Sequence, residues 1–172
     1  ISCRSMVARI EATAHFFAEP KSRSAFLFPP HTAPTLIRAL AALISGTGLV
    51  FSSDPKDWDG EGVTNVFGSP QQLRESFGKK PFTTKLKNVF VGGDGLSDGL
   101  AEKLFKNFDN VMNTYGSTET SLVLINKRYI DSKGSFETTT IWMDSEVQIM
   151  DESGNELPIG QDGIVRIRNG YL

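Results

Sequence analysis

The stretch Asn113-Thr114-Tyr115-Gly116-Ser117-Thr118-Glu119-Thr120 follows the apolar pair Val111-Met112, which is typical of a buried strand. The stretch itself combines an amide, a phenol ring, a glycine, several hydroxyls and a carboxylate, and this mixture is poor strand material. We therefore expect the backbone to leave the sheet near Tyr115, at the strand end where ligands bind in open α/β sheets. Composition alone also allows a plain polar turn in which Gly116 supplies an unusual backbone angle.

Strand-like and helix-like segments alternate along the chain before this stretch. Short apolar runs bounded by glycine or proline predict strands, and apolar residues three and four apart predict helices. The predicted strands are 25–28, 48–51, 63–67, 88–91 and 111–114; the predicted helices lie at 4–18, between Pro34 and Gly46, between Pro70 and Phe77, and after Ser97. This alternation predicts an α/β fold with a mainly parallel sheet flanked by helices.

The pattern changes after Leu124. Residues 145–150 and 163–168 alternate between apolar and polar side chains, which predicts an antiparallel β hairpin. We place a boundary near Phe136, so that residues 1–135 form an α/β subdomain and residues 136–172 begin a β-rich subdomain.

Two further expectations concern burial. The helix after Pro34 carries apolar residues over a wide arc, which predicts a well-buried helix: Leu36, Ile37, Leu40, Ala41, Leu43 and Ile44. Residues 52–62 contain several aspartates together with Trp58, and we expect them to form a solvated loop.

The overall composition excludes several classes of protein. The chain has 172 residues, 39% of them hydrophobic and 22% charged, with a net charge of −2, as in an ordinary globular domain. Its charge pattern shows no basic stripe for nucleic acid, and its apolar runs are too short to span a membrane. The single cysteine, Cys3, fits a reducing compartment, so we expect a cytoplasmic protein.

The order of residues in the opening stretch is more specific than its composition. Tyr115-Gly116-Ser117-Thr118-Glu119 resembles the central motif of the adenylate-forming (AMP-binding) superfamily, which includes acyl- and aryl-CoA ligases, luciferases and the adenylation domains of nonribosomal peptide synthetases. Phe28-Pro29-Pro30-His31 resembles the motif beside the acyl pocket of CoA ligases. Gly92-Gly93-Asp94-Gly95-Leu96-Ser97 resembles the turn that lies along the adenine. Residues 147–168 resemble the hairpin that begins the family's barrel-like subdomain, although Ile164 stands where many relatives have glutamate.

The resemblance implies an enzyme that joins a carboxylic acid to ATP as an acyl-adenylate and then transfers the acyl group to a thiol, an AMP-forming acid–thiol ligase. It implies catalytic roles for Thr118, Glu119 and His31, with Glu119 also holding Mg²⁺. The implied nucleotide-binding residues are Gly92, Gly93, Asp94, Asn113, Thr114, Tyr115, Gly116, Ser117 and Thr118. Within this set, Tyr115 would stack on adenine, Asn113 would meet its amino edge and Thr118 would donate to a phosphate oxygen.

The remaining assignments stay open on sequence grounds. His31 would stand near the substrate carboxylate or the thiol path, but a surface histidine flanked by prolines fits the same residues. The thiol would belong to CoA or to a phosphopantetheinyl carrier, and Pro29-Pro30-His31 mildly favours a CoA ligase over a peptide-synthetase adenylation domain. The alternative to an enzyme is a non-catalytic nucleotide-binding or scaffold module.

We predict that residues 1–172 alone form no acyl-adenylate and bind MgATP with a Kd no tighter than ~1 mM. The chain begins without methionine and stops directly after a strand-like run, which suggests the central fragment of a larger domain. The resemblance implies further ATP-binding groups outside these residues: a phosphate loop ending in lysine, a ribose-binding aspartate and a small domain with a catalytic lysine. Titration with MgATP measures this, and a micromolar Kd would contradict it.

Overall fold

The computed structural model describes residues 2–17, 19, 21–52, 54–77, 84–131, 134–142 and 145–169. In chain order the elements are α1 (Cys3–Phe17), β1 (Arg23–Phe26), α2 (Ala33–Ile44), β2 (Gly48–Val50), α3 (Pro55–Glu61), β3 (Asn65–Gly68), α4 (Pro70–Phe77), β4 (Leu86–Gly92), α5 (Asp98–Phe105), β5 (Phe108–Ser117), β6 (Ser121–Asp131), β7 (Gly134–Ile141), β8 (Glu146–Met150) and β9 (Ile164–Arg168). No helix among the described residues is long and apolar enough to cross a bilayer.

The strands form a seven-stranded sheet in the order β2-β1-β3-β4-β5-β6-β7 and a separate two-stranded sheet, β8-β9. The pairs from β2 to β5 are parallel, whereas β6 and β7 add antiparallel strands at one edge. β8 and β9 form the antiparallel pair expected from their alternation. The predicted α/β fold with a mainly parallel sheet and a following hairpin is confirmed.

One face of the large sheet is covered by α3, α4 and α5. Their apolar side chains form one cluster with the strand residues beneath, including Leu73, Leu100 and Leu104 with Val66, Val89 and Val111. A capping box begins α4, since Ser69 N–H donates to Gln72 Oε1 (2.9 Å) and Gln72 N–H donates to Ser69 Oγ (3.3 Å).

The expected loop at residues 52–62 is wrong, because most of it is α3. Asp54 caps this helix by accepting a hydrogen bond from the Lys56 N–H (3.0 Å), Pro55 occupies its first turn and Gly62 ends it in the left-handed conformation. Trp58 is fully buried and donates its indole N–H to the Ser52 carbonyl (2.8 Å). The aspartates suggested solvent, but they occupy the exposed side of a helix that a tryptophan anchors.

The opposite face of the sheet carries a row of aromatic rings. Phe26, Phe67, Phe90 and Met112 are register partners across β1, β3, β4 and β5. The Phe67 ring stacks on Phe26 (5.0 Å between centroids) and on Phe90 (4.6 Å). This flat apolar floor supports the site described below.

The wide burial predicted for α2 is wrong for half of its apolar residues. Ile37 and Ala41 are buried against Ile10 and Ala14 of α1, whereas Leu36, Leu43 and Ile44 are exposed. A helix that is apolar over a wide arc does not reveal which stripe faces its neighbour. Gly46 ends the helix at a φ of +69°, as expected.

The stretch at residues 113–120 also differs from the sequence-based prediction in one respect. β5 continues to Ser117 instead of ending near Tyr115, and its register with β6 shifts between Tyr115 and Gly116. The low strand propensity of this stretch is overridden because β6 returns antiparallel and supplies hydrogen-bond partners.

The boundary placed near Phe136 falls inside β7, which belongs to the large sheet, so the change of sheet comes between Ile141 and Glu146. Division into two subdomains stays a prediction.

Candidate active site

A cavity of about 240 Å³ lies between the aromatic floor, helices α1 and α2, and the β5–β6 turn. It opens at the carboxyl ends of the parallel strands, which is where ligands bind in folds of this class. The residues that line it are Arg9, Thr13, Phe28, Ala33, Pro34, Ile37, Arg38, Phe67, Phe90, Gly92, Gly93, Thr114, Tyr115, Gly116, Ser117, Thr118, Ser121 and Leu122.

The predicted glycine turn and the opening stretch meet because β4 and β5 are neighbours. Gly92 and Thr114 are register partners, and the Thr114 hydroxyl donates to the Val91 carbonyl (3.0 Å). A Cβ at Gly92 would lie 2.8 Å from Thr114 Oγ1, so glycine leaves room for the Thr114 side chain. The two loops therefore present their backbones to one crevice, as the sequence predicts.

The turn between β5 and β6 is closed by its own side chains. The Ser117 N–H donates to Thr120 Oγ1 (3.1 Å), and the Thr120 N–H donates to Ser117 Oγ (3.1 Å). Directly after β9, the buried Asn169 donates its side-chain amide to the Thr120 carbonyl (3.1 Å). The turn is thus held at its base, with Thr118 and Glu119 at its tip.

Arg9 of α1 fixes that tip from the other side of the cavity. Its Nη1 donates to the Thr118 carbonyl (2.9 Å) and its Nη2 donates to the Glu119 carbonyl. Arg9 is only 4% exposed, so a buried positive charge lies beside the Thr118–Glu119 peptide. Arg9 was not predicted from the sequence. Its position beside the apolar face of α1, four residues before Thr13, is the sequence feature that could have indicated it.

We predict that Arg9→Met loosens the turn and destabilises the protein by about 2 kcal/mol, because two backbone carbonyls lose a charged donor. Amide hydrogen exchange at residues 118–120 should accelerate, and the melting temperature should fall. Arg4→Met, at an exposed position of the same helix, is the matched control and should leave both unchanged. Unaltered exchange in Arg9→Met would remove Arg9 from this positioning role.

The Glu119 side chain is exposed at the tip of the turn. Hydrogen bonds from the Ser117 hydroxyl and from the backbone N–H of Glu119, with a smaller contribution from the Arg9 charge, hold the pKa of this carboxyl below its ordinary value. It is ionised at neutral pH. No cluster of three metal-ligating side chains occurs among the described residues. A single carboxylate nevertheless suits Mg²⁺, which commonly takes one or two carboxylates and completes its shell with phosphate oxygens and water.

A polar pair lies on the other face of β5. Asn113 and Asn126 are register partners in β5 and β6, and the Oδ1 atoms of both are buried without a hydrogen-bond partner among the described residues. Asn113 is level with Val91, next to the Gly93–Leu96 turn, and a Cβ at Gly93 would meet nothing within 4 Å. An unsatisfied buried acceptor beside an open backbone fits the amino edge and flat face of adenine.

The structure brings most of the predicted nucleotide-site residues together. Those that line the cavity are Gly92, Gly93, Thr114, Tyr115, Gly116, Ser117 and Thr118. Asn113 lies on the other face of the same strand, and exposed Asp94 accepts a hydrogen bond from the Gly95 N–H (2.7 Å). His31 is exposed in the turn before α2 and does not line the cavity. The chemical roles assigned to these residues stay predictions.

Comparisons with known proteins bear on the resemblance. Malpinin synthetase of Mortierella alpina is 28% identical over 173 residues, covering 90% of this chain and 2% of the synthetase. D-alanine–D-alanyl carrier protein ligase of Bacillus velezensis is 34% identical over 91 residues, covering 46% of this chain and 18% of the ligase. The crystal structure of CmiS6 shares the fold, with a TM-score of 0.82 and 21% identity, covering 100% of this chain and 46% of CmiS6.

This chain therefore spans less than half the length of each of these relatives. The sequence profile described as "AMP-binding enzyme" matches residues 1–172, which confirms the resemblance read from the motifs, and the chain belongs to the AMP-binding enzyme family.

Proposed function

We propose that the whole protein activates a carboxylic acid with ATP, forming an acyl-adenylate and releasing pyrophosphate. The observation that carries the proposal is the placement of the Thr118–Glu119 turn at the mouth of a cavity that Arg9 and Arg38 line. Of the described residues that line this cavity, none is acidic. Such a lining suits a reaction in which both reactants are anions.

The reaction joins a carboxylate oxygen to the α-phosphorus of ATP while the bond from that phosphorus to pyrophosphate breaks. Both reactants are negatively charged, so the site has to offset repulsion and hold them in line. The Thr118 hydroxyl, which accepts or donates no hydrogen bond among the described residues, is available to donate to a phosphate oxygen. Arg9 keeps the tip of the turn in place through the Thr118 and Glu119 carbonyls.

Glu119 is the residue that would hold Mg²⁺. When bound, the metal ion neutralises the charge that develops on the phosphate oxygens. Glu119 meets the requirement on this chain's side, because its carboxyl is ionised at neutral pH and its side chain is exposed beside the cavity.

Adenine would lie against the Gly92–Gly93 backbone and the ring of Tyr115, which is 47% exposed. Stacking on an aromatic ring is worth roughly 1–3 kcal/mol per base. The unsatisfied Asn113 Oδ1 would accept from the amino group of the base, while Thr114, Gly116 and Ser117 shape the strand end around it.

In the second step, the acyl group would be transferred to a thiol. The sequence Pro29-Pro30-His31 favours CoA, with His31 near the thiol path, whereas the name of the Bacillus velezensis relative points to a carrier protein. Both acceptors bear the same phosphopantetheine thiol chemistry, so we propose an acid–thiol ligase and leave the choice to experiment.

ATP–pyrophosphate exchange by the whole protein tests the proposal, with fatty, aryl and amino acids supplied in turn. Acid-dependent exchange supports it, and subsequent transfer to CoA or to a carrier protein identifies the acceptor. Exchange with amino acids alone would reject the CoA-ligase preference. A folded protein that exchanges with no acid would instead support a non-catalytic nucleotide-binding module.

A further inference from the structure

Two arginines line the cavity, and they differ in what their terminal nitrogens contact. Arg9 donates from both terminal nitrogens to the carbonyls of the β5–β6 turn. Arg38, on α2, donates from Nη1 to the Pro34 carbonyl one turn earlier in its own helix (3.2 Å). No carboxylate among the described residues pairs with Arg38. The cavity therefore has a cation at its α2 wall that lacks a counter-charge from the described chain.

Arg38 is half-buried, and only part of its guanidinium is shielded from water. Its Nε is buried and has no hydrogen-bond partner in the part of the chain that the structure describes, and its guanidinium carbon lies 5.3 Å from the centroid of the Phe67 ring. Burial lowers the pKa of Arg38 to about 10, so the side chain remains protonated at neutral pH. The aromatic face attracts the cation, but it leaves the Nε–H donor unsatisfied. A buried donor left without an acceptor is unfavourable, and a ligand carboxylate that accepted a hydrogen bond from it would remove that cost.

We propose that Arg38 selects an acid bearing a second carboxylate at the end remote from the one that is activated. This inference rests on the proposed function and names the substrate class of the same site. A guanidinium presents a planar fork of donors that matches a carboxylate in two parallel hydrogen bonds. The apolar walls formed by Phe28, Ile37 and Phe90 suit the carbon spacer between the two carboxylates.

The same lining disfavours an amino acid whose ammonium group would enter the cavity. Arg9 and Arg38 would repel it, and none of the described lining residues offers a carboxylate to pair with it. On this ground the chain is expected to differ in substrate from a D-alanine ligase, although one is among its relatives.

The test is ATP–pyrophosphate exchange by the whole protein with straight-chain dicarboxylic acids, each compared with the monocarboxylic acid of equal length. We expect kcat/KM to favour at least one dicarboxylic acid by about tenfold or more over its partner. Arg38→Gln should lower that ratio by about tenfold, to near unity, because a neutral amide carries no charge to pair with the second carboxylate. Arg38→Lys should restore part of it, because it keeps the charge and loses the fork.

Arg74→Gln, at an exposed position on α4, is the matched control and should leave the ratio unchanged. Exchange that favours monocarboxylic acids in the wild-type protein would overturn the inference and leave the proposed function standing, and this comparison needs no variant to fold. A dicarboxylic preference that survives Arg38→Gln in a folded protein would also overturn it. Absence of exchange with every acid tested would remove the proposed function and the inference together.

Discussion

Glu119→Ala is expected to lower ATP–pyrophosphate exchange by the whole protein roughly 100- to 1,000-fold, the range seen when one group that stabilises a developing oxyanion is removed. The physical reason is local. Glu119 is an ionised carboxylate at the tip of the β5–β6 turn. Removal of this carboxylate should impair the metal-dependent charge neutralisation that we propose for it. The measurement is the exchange rate at saturating acid over a range of Mg²⁺ concentrations.

A stability measurement distinguishes the loss of exchange activity expected for Glu119→Ala from unfolding. The Glu119 side chain is exposed, so Glu119→Ala should leave the melting temperature unchanged. Glu102→Ala, an exposed glutamate on α5, is the control for a simple change of surface charge and should retain full exchange. Near-wild-type exchange by Glu119→Ala at limiting Mg²⁺ would exclude Glu119 from metal binding.

Gly116→Ala is expected to destabilise the whole protein by about 3 kcal/mol or more, at the upper end for overpacking. A Cβ at this position would lie 1.9 Å from the Ser121 carbonyl oxygen, 2.8 Å from its carbonyl carbon and 3.0 Å from the Leu122 Cα. All three are backbone atoms of β6, so no side-chain rotation relieves the overlap. The β5–β6 pair would have to separate at its register shift, which would also displace Thr118 and Glu119.

Thermal denaturation measures the loss, and amide hydrogen exchange over residues 115–122 should show where the hairpin opens. Gly99→Ala is the matched control, because Gly99 lies in α5 and a Cβ there meets nothing within 4 Å. That change should be neutral or slightly stabilising, since alanine is the better helix former. Equal melting temperatures for the two variants would show that the hairpin tolerates the substitution.

The glycine turn and the strand-end motif were predictable from local chemistry. Glycines, hydroxyls and a carboxylate that follow short apolar runs can be placed at strand ends without knowing the tertiary fold. The alternation of elements then makes the sheet parallel, and parallel strands bring their carboxyl ends to one edge. Gly92 and Thr114 are register partners as a direct consequence.

The incorrect predictions have a different origin. Each depends on a neighbouring element that the periodicity of the sequence does not identify. Trp58 is buried in a short helix whose aspartates suggested a loop, and Leu43 is exposed on a helix whose leucines suggested a core. Tyr115 stays in a strand because β6 returns beside it. In each case the partner element, more than the intrinsic propensity, decided the outcome.

The sequence by itself determined the class of fold, the family and the crevice at which the predicted nucleotide-site residues assemble, because those features follow from short-range order along the chain. Only the tertiary structure placed Arg9 on the Thr118 and Glu119 carbonyls and Arg38 against the Phe67 ring. Arg9 contacts a turn more than 100 residues away. Such pairings depend on which face of the sheet each helix covers and on how each helix is rotated about its axis.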